Sequence, residues 1–367
     1  MINLRFISSI AAAVLLDSCV TSSARSESKS DSITADPIKP SLDGVDLYGS
    51  RRVTLEMIRN SHGELLQMCL DESIREGDGL ECDRQAFSQE IARYYGLAFA
   101  HLSIIKYFNL HNIPGRQVYA TIDLVEKSDA PKRMKFLPRP AGQYPDPGEL
   151  LKSWDDYQKA GFELLQTGEI SGMREECPAY HCIFGHTHPR LAPFKKVFVE
   201  GVSKHKSELI RIFLDDRSDQ ARANAAFLLA YIPNGNELIE TLATRITDES
   251  EAVRNNVIRV FSDIAAFHQQ LVLPIKAVVP LLDYPETTDR NKASMVVFGL
   301  ASNKDQLPKY RPLIMKEAVP NLLRLLRLEQ PNNHDPAYMI LRVLSGLDYG
   351  ERDYAAWDEW YRSQTGK

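Results

Sequence analysis

Arg222-Ala-Asn-Ala-Ala-Phe-Leu-Leu-Ala-Tyr-Ile, Arg254-Asn-Asn-Val-Ile-Arg-Val-Phe-Ser-Asp-Ile and Arg290-Asn-Lys-Ala-Ser-Met-Val-Val-Phe-Gly-Leu are three versions of one phrase, set 32 and 36 residues apart. Asp216 and Asp248 stand six residues before the first two arginines, and Asp283 stands seven before the third. An apolar helical run precedes each copy: Leu209-Ile-Arg-Ile-Phe-Leu, Leu238-Ile-Glu-Thr-Leu-Ala and Val278-Val-Pro-Leu-Leu. In the second copy Val253, Val257, Val260, Phe261 and Ile264 follow the helical period and form one apolar stripe. A single helical pair cannot bury such a stripe, whereas stacked neighbours can. The pattern therefore predicts an all-α solenoid over residues 203–349.

A fourth copy, Val319-Pro-Asn-Leu-Leu-Arg-Leu-Leu followed by Ala337-Tyr-Met-Ile-Leu-Arg-Val-Leu-Ser-Gly-Leu, keeps the apolar spacing but places Ala337 where the Arg belongs. That suits the atypical end unit a stacked array requires. Helix, Asp-containing turn and Arg-opened second helix together resemble the HEAT-repeat family over some 140 residues. The resemblance implies that Asp216, Arg222, Asp248, Arg254, Asp283 and Arg290 bond across neighbouring turns and hold the stack. Residues 350–367 place Tyr354, Trp357, Trp360 and Tyr361 at helical spacing, an aromatic stripe read as the lid on the last repeat.

The N-terminus carries Arg5, an apolar run from Phe6 to Leu16 and then small and polar residues. That is the pattern of a secretory signal, too short to span a bilayer comfortably. Leu16-Asp-Ser-Cys19 resembles the lipobox of bacterial lipoproteins, with Asp17 departing from its preference for a small or apolar residue. The resemblance implies a signal peptide over 1–18, acylation of Cys19 and, with Val20 following, sorting to the outer membrane. Cleavage after Ala24 is the alternative and would release a soluble protein. Both place the mature chain outside the cytoplasm, in the periplasm or anchored to the outer membrane.

Export makes the four remaining cysteines, Cys69, Cys82, Cys177 and Cys182, candidates for two disulfides. Three connectivities exist, and the local one, Cys69 with Cys82 and Cys177 with Cys182, needs the least assumption. Each such staple would stabilise by about 2–3 kcal/mol on the loop-entropy estimate.

Residues 19–43, rich in Ser, Asp, Lys and Pro, cannot bury enough surface to order and read as a tether. Residues 44–128 order as β-α-α-β-β. A strand opens at Val45, helices carry Leu55, Ile58, Leu65 and Leu66 and then Phe87, Ile91 and Tyr94, and two strands lie either side of an Asn109 to Gly115 turn. This order, with Leu47-Tyr-Gly-Ser-Arg-Arg-Val-Thr, Tyr95-Gly-Leu-Ala and Ile122-Asp-Leu-Val-Glu, resembles POTRA domains, which implies partner binding by strand addition. No barrel follows, so a direct translocation role is not expected. Five prolines between Pro131 and Pro147 make 129–148 a domain-separating linker, and its basic residues Lys132, Arg133, Lys135 and Arg139 read as a solvated face.

Residues 149–202 read as a helix capping the first repeat, then a loop, Cys177-Pro-Ala-Tyr-His-Cys-Ile-Phe-Gly-His-Thr-His-Pro. His181, His186 and His188 could hold zinc, the basis of an alternative reading as a metal-binding protein or metal-dependent enzyme. There is no CxxC ribbon spacing and no HExxH helix. The preferred reading is a disulfide-pinned loop with His188 in a turn and His186 on the surface. No nucleophile elbow or phosphate loop occurs, so no catalytic residue, cofactor or small-molecule substrate is expected. A net charge of −5 gives no reason to expect nucleic acid. The sequence points to a non-enzymatic scaffold whose partner is an envelope protein.

Overall fold

The computed structural model describes residues 41–74, 82–108, 110, 116–171 and 177–366. Cys19, the signal and lipobox pattern, most of the tether and the Asn109 to Gly115 turn apart from Leu110 lie outside the described residues. The chain divides into two compact units, residues 1–124 and 125–367. No described helix is long and apolar enough to cross a membrane.

The first unit has the order β1 (Ser41–Tyr48), α1 (Leu55–Ile74), α2 (Arg84–Tyr95), β2 (Phe99–Phe108) and β3 (Arg116–Val125). The sheet runs β1-β3-β2, with β1 parallel to β3 so that Val45 lies opposite Ala120 and Leu47 opposite Ile122. Alternation decides which face is covered. Val118, Ala120, Ile122 and Leu124 all join one buried cluster with Ile58, Leu66 and Leu70 of α1 and Phe87 and Ile91 of α2. Each of the larger of these side chains, Ala120 apart, contributes about 1.5–3 kcal/mol on burial. α1 kinks at His62, which leaves helical backbone angles just before Gly63. The entry to α2 is capped by Asp83, whose side chain accepts from the Ala86 N–H. Gly96 closes the helix with φ +63, a left-handed conformation that glycine adopts without strain. A Cys69–Cys82 disulfide ties the end of α1 to the approach to α2.

The second unit is helical. α3 (Leu150–Gln166) and α4 (Ala192–Lys204) lead into the repeats: α5 (Lys206–Asp215) with α6 (Asp219–Leu229), α7 (Gly235–Ala243) with α8 (Glu251–Phe267), a short turn of helix at Ile275–Val278 continued as 3-10 helix to Asp283 with α9 (Thr287–Ser302), and α11 (Val319–Leu325) with α12 (Pro331–Ser345). α10 (Leu307–Leu313) connects the last two pairs and α13 (Tyr354–Thr365) ends the chain. The second helices α6, α8, α9 and α12 pack one against the next. Stripes that a lone pair would expose, such as Val253, Val257, Val260, Phe261 and Ile264, are almost wholly buried. Close approach is built in at Gly299, where an added Cβ would lie 2.6 Å from the Ala265 Cβ on the neighbouring helix. α3 seats Trp154 and Tyr157 in an aromatic cluster with Phe198 and Phe227, so it covers the first repeat. At the other end Trp357 is buried, gives its indole N–H to the Gly350 carbonyl and packs edge-on against Tyr338 and Tyr349.

Candidate functional site

Each repeat arginine closes its own turn, and Arg222 and Arg254 also reach the next repeat. Six residues behind each lies a carbonyl of its own turn: Arg222 donates to Asp216 O at 2.7 Å, Arg254 to Asp248 O at 2.9 Å and Arg290 to Tyr284 O at 3.0 Å. Ahead of the first two lies a carboxylate of the next repeat. Arg222 binds Asp248 through Nε (3.1 Å) and Nη2 (2.7 Å), with both side chains fully buried. Arg254 binds Asp289 through Nε (2.9 Å) and Nη2 (2.8 Å). These are forked, charge-assisted bonds in a desolvated setting, where geometry is specific and loss of one partner is costly.

Asp283 does not take the third rung. In that copy the six-residue register falls on Tyr284, and Asp289, immediately before Arg290, supplies the carboxylate instead. The extra residue in the turn takes Asp283 off the rung but leaves it buried, where it meets Arg324 of the fourth repeat (2.8 Å), Arg133 (3.3 Å) and Lys132 (3.3 Å). Burial alone would raise its pKa, but Arg324 and Arg133 hold it below the ordinary carboxylate value.

Of the basic residues of 129–148, Lys132, Lys135 and Arg139 are exposed, as a solvated face requires, but Arg133 is buried, because the segment lies along the repeat turns as a strap. The strap crosses the repeats in reverse order. Arg133 is buried on the third turn, bound to Asp283 O at 2.8 Å, and Phe136 lies over the Arg254 guanidinium at 4.5 Å. On the second turn Leu137 N–H donates to Thr247 O (2.8 Å) and Arg139 to Glu249 (2.7 Å). On the first, Gly142 exchanges backbone bonds with Asp215 O (2.9 Å) and Arg217 N (2.7 Å). Tyr144 then gives its N–H to Asp216 (3.0 Å) and its hydroxyl to Asp215 (2.6 Å). Only glycine fits at 142, since a Cβ there would stand 2.5 Å from Asp215 O. The prolines do prevent regular structure apart from short turns, and that leaves the backbone groups available to the repeats. Asp146 ends the strap by accepting from Leu151 N and Lys152 N at the start of α3.

The Cys177–Cys182 disulfide closes a loop that docks on the first two repeats. Tyr180 N–H donates to Ala230 O (3.0 Å), and its hydroxyl to Pro233 O (2.9 Å). The three histidines go to three different places. His181 is buried, stacked on Phe227, with Nδ1 2.8 Å from the Asp263 carboxylate, so that Nδ1 carries the proton. His186, expected on the surface, is buried against Tyr157. Its Nδ1 faces Leu191 O at 3.3 Å and its Nε2 the Tyr231 hydroxyl at 2.8 Å. Burial pushes the His186 pKa down and the Tyr231 phenol up, so the phenol donates to a neutral imidazole. His188 accepts from Arg190 N (3.2 Å) and has Glu169 at 3.6 Å from Nε2. No three His, Cys, Asp or Glu side chains among the described residues are grouped to hold a metal. The arrangement anchors the loop to the stack through His181 on Asp263 and His186 on Tyr231, with His186 also packed on Tyr157.

No protein-family model matches the chain, and no curated protein matches it. Among solved structures it is similar to a designed armadillo repeat protein at 20% identity and TM-score 0.35, over 54% of this chain and 92% of that one. A designed armadillo repeat protein in complex with the peptide (KR)4 matches at 19% and 0.35, over 59% and 89%. Computationally designed armadillo repeat proteins for modular peptide recognition match at 18% and 0.35, over 58% and 88%. At that level of similarity the repeat architecture of this chain rests on its own geometry.

Proposed function

We propose that this chain is a non-enzymatic, protein-binding scaffold of the bacterial envelope, exported by its N-terminal signal and held to the membrane through lipid on Cys19. The observation that carries the reading is the continuous stack of second helices, locked rung to rung by Arg222–Asp248 and Arg254–Asp289 and tied along its turns by the strap. Such a stack presents one extended, rigid surface, and extended surfaces are what helical repeats offer to partners. In this reading residues 203–349 are HEAT-like repeats and residues 44–128 a POTRA-like module whose sheet ends on β2, available in type for strand addition. Two disulfides fit a protein working in an oxidising compartment. The rival, a metal-dependent enzyme on His181, His186 and His188, draws no support from three imidazoles that turn to Asp263, Tyr231 and Glu169.

Photo-crosslinking in intact cells tests this, with the crosslinker placed singly at exposed first-helix positions Arg211, Glu240 and Lys276. The expected result is one common adduct from several of these sites and a mature mass carrying acyl chains on Cys19. Folded protein with no adduct from any site sinks the scaffold reading. An unacylated mature mass with the adduct retained removes only the anchor.

A further inference from the structure

The two disulfides sit in opposite surroundings. Cys69 and Cys82 are 1% and 8% exposed and belong to the buried cluster between the helices and the sheet of the first unit. Cys177 and Cys182 are only half-buried, so solvent reaches them. The first pair is 13 positions apart in sequence and the second 5. A buried disulfide meets no attacking thiolate until the structure opens, whereas an accessible one is available for exchange.

The side chains that fasten the loop lie inside the second bridge. Tyr180 gives its N–H to Ala230 O and its hydroxyl to Pro233 O, and its ring stands edge-on to His268 at 4.8 Å. His181 stacks on Phe227 at 4.9 Å and bonds Asp263 at 2.8 Å. Phe227 and Ala230 belong to the first repeat, Asp263 and His268 to the second, so the loop clasps both. The clasp is mostly polar and incompletely satisfied. With the Nδ1 proton given to Asp263, His181 Nε2 is a buried acceptor with no donor among the described residues. Such an orphan weakens the docked state. Docking therefore leans on the bridge, which confines residues 177–182 to a tight turn and lowers the entropy lost when they settle on the repeats.

We propose that Cys177–Cys182 is a reversible redox site, reduced selectively by a dithiol, and that its reduction undocks residues 178–181 from the first two repeats. A thiolate of the dithiol attacks one sulfur, forming a mixed disulfide and releasing the other cysteine as a thiolate that takes up a proton. The second sulfur of the dithiol then displaces the remaining cysteine, which is protonated in turn. Two protein thiols and one cyclic disulfide result, so two electrons and two protons pass from the reductant to the protein. Undocking uncovers the face of Phe227 on which His181 lies and the Asp263 carboxylate, and it leaves Cys69–Cys82 oxidised. The site stands whether or not the stack binds a protein partner.

The experiment uses the full mature chain, equilibrated without oxygen in mixtures of reduced and oxidised dithiothreitol. Free thiols are trapped by alkylation after an acid quench and assigned by peptide mass, and amide hydrogen exchange is followed across the series. Cys177–Cys182 is expected to open at a reduced-to-oxidised ratio at least about tenfold lower than Cys69–Cys82 requires. In that window the Tyr180 amide is expected to lose protection at least about tenfold while α9 keeps its own. Opening of both bridges together, or of Cys69–Cys82 first, overturns the proposal. So does a reduced chain whose Tyr180 amide stays protected. Loss of protection across α9 as well would make the bridge a structural staple, which also overturns the proposal, and none of these outcomes requires a variant to fold.

Discussion

Between the first and second repeats Arg222 reaches forward to Asp248, and between the second and third Arg254 reaches forward to Asp289. Between the third and fourth the reach runs backward, from Arg324 of the fourth repeat to Asp283 of the third. The two kinds of joint also differ in wetness. Arg222 and Asp248 are wholly buried, whereas the Arg324 side chain is 43% exposed. At the first two joints both members of the pair are out of water, so each is a desolvated ion pair. The last joint keeps Asp283 buried, with buried Arg133 also on it, but leaves the Arg324 end of its pair in solvent, and the buried Asn291 side chain also donates to the Asn332 carbonyl. One architecture thus holds dry electrostatic joints in the middle and wet ones at the end, as a nearest-neighbour array allows.

That contrast can be broken most severely at Arg222. Arg222→Met leaves Asp248 buried with Arg245, 13% exposed and 3.4 Å away, as its remaining side-chain cation among the described residues, and should cost about 3–5 kcal/mol in denaturant unfolding. A loss below about 1 kcal/mol would show that the dry joints are no stronger than the wet one. Next in size is Gly142→Val, which forces side-chain atoms into the Asp215 carbonyl. It should destabilise by about 1–3 kcal/mol and make the strap the first segment cut in limited proteolysis.

Asp283 sharpens the comparison through pH. Its folded pKa lies below the ordinary 3.8, so the unfolded chain binds more protons in that range. Its contribution is therefore complete above about pH 4 and is lost as pH falls through the lower, folded value. Asp283→Asn should flatten the acid limb of the stability curve, and an unchanged limb would remove Asp283 from the joint. The smallest effect belongs to Arg324→Ala. For a pair this exposed the loss should stay under about 1 kcal/mol and shrink further in high salt, measured by thermal midpoints at two salt concentrations.

The repeats were legible because period and step recur locally. The 3.6-residue stripe names the buried face, and a fixed Arg names the start of each second helix. The third rung follows the register and not the residue type: six residues before Arg290 stands Tyr284, so Asp283 is out of register, and Asp289, next to the Arg in sequence, carries no spacing signal of its own. The strap was not legible at all. Its partners on the repeats lie 71 to 151 residues away, and prolines announce only that a segment is irregular, not what it lies on. His186 was placed on the surface because a His beside Gly reads as polar loop. Its burial depends on Tyr157 and Tyr231, which no local pattern connects to it.

The reversed order of the strap has a consequence for how the chain assembles as it emerges from its N-terminal end. The strap appears before any repeat it fastens to, so it must wait, and its fastenings become available one by one. Tyr144 can close on Asp216 once 72 further residues are out, Arg139 on Glu249 after 110, and Arg133 on Asp283 only after 150. Each closure shortens the loop left for the next, so the entropy of closing is met in small instalments and not in one long step. The segment acts as a zipper drawn from its far end back toward the first unit, and it clasps each turn as the newest repeat comes to rest on the one before.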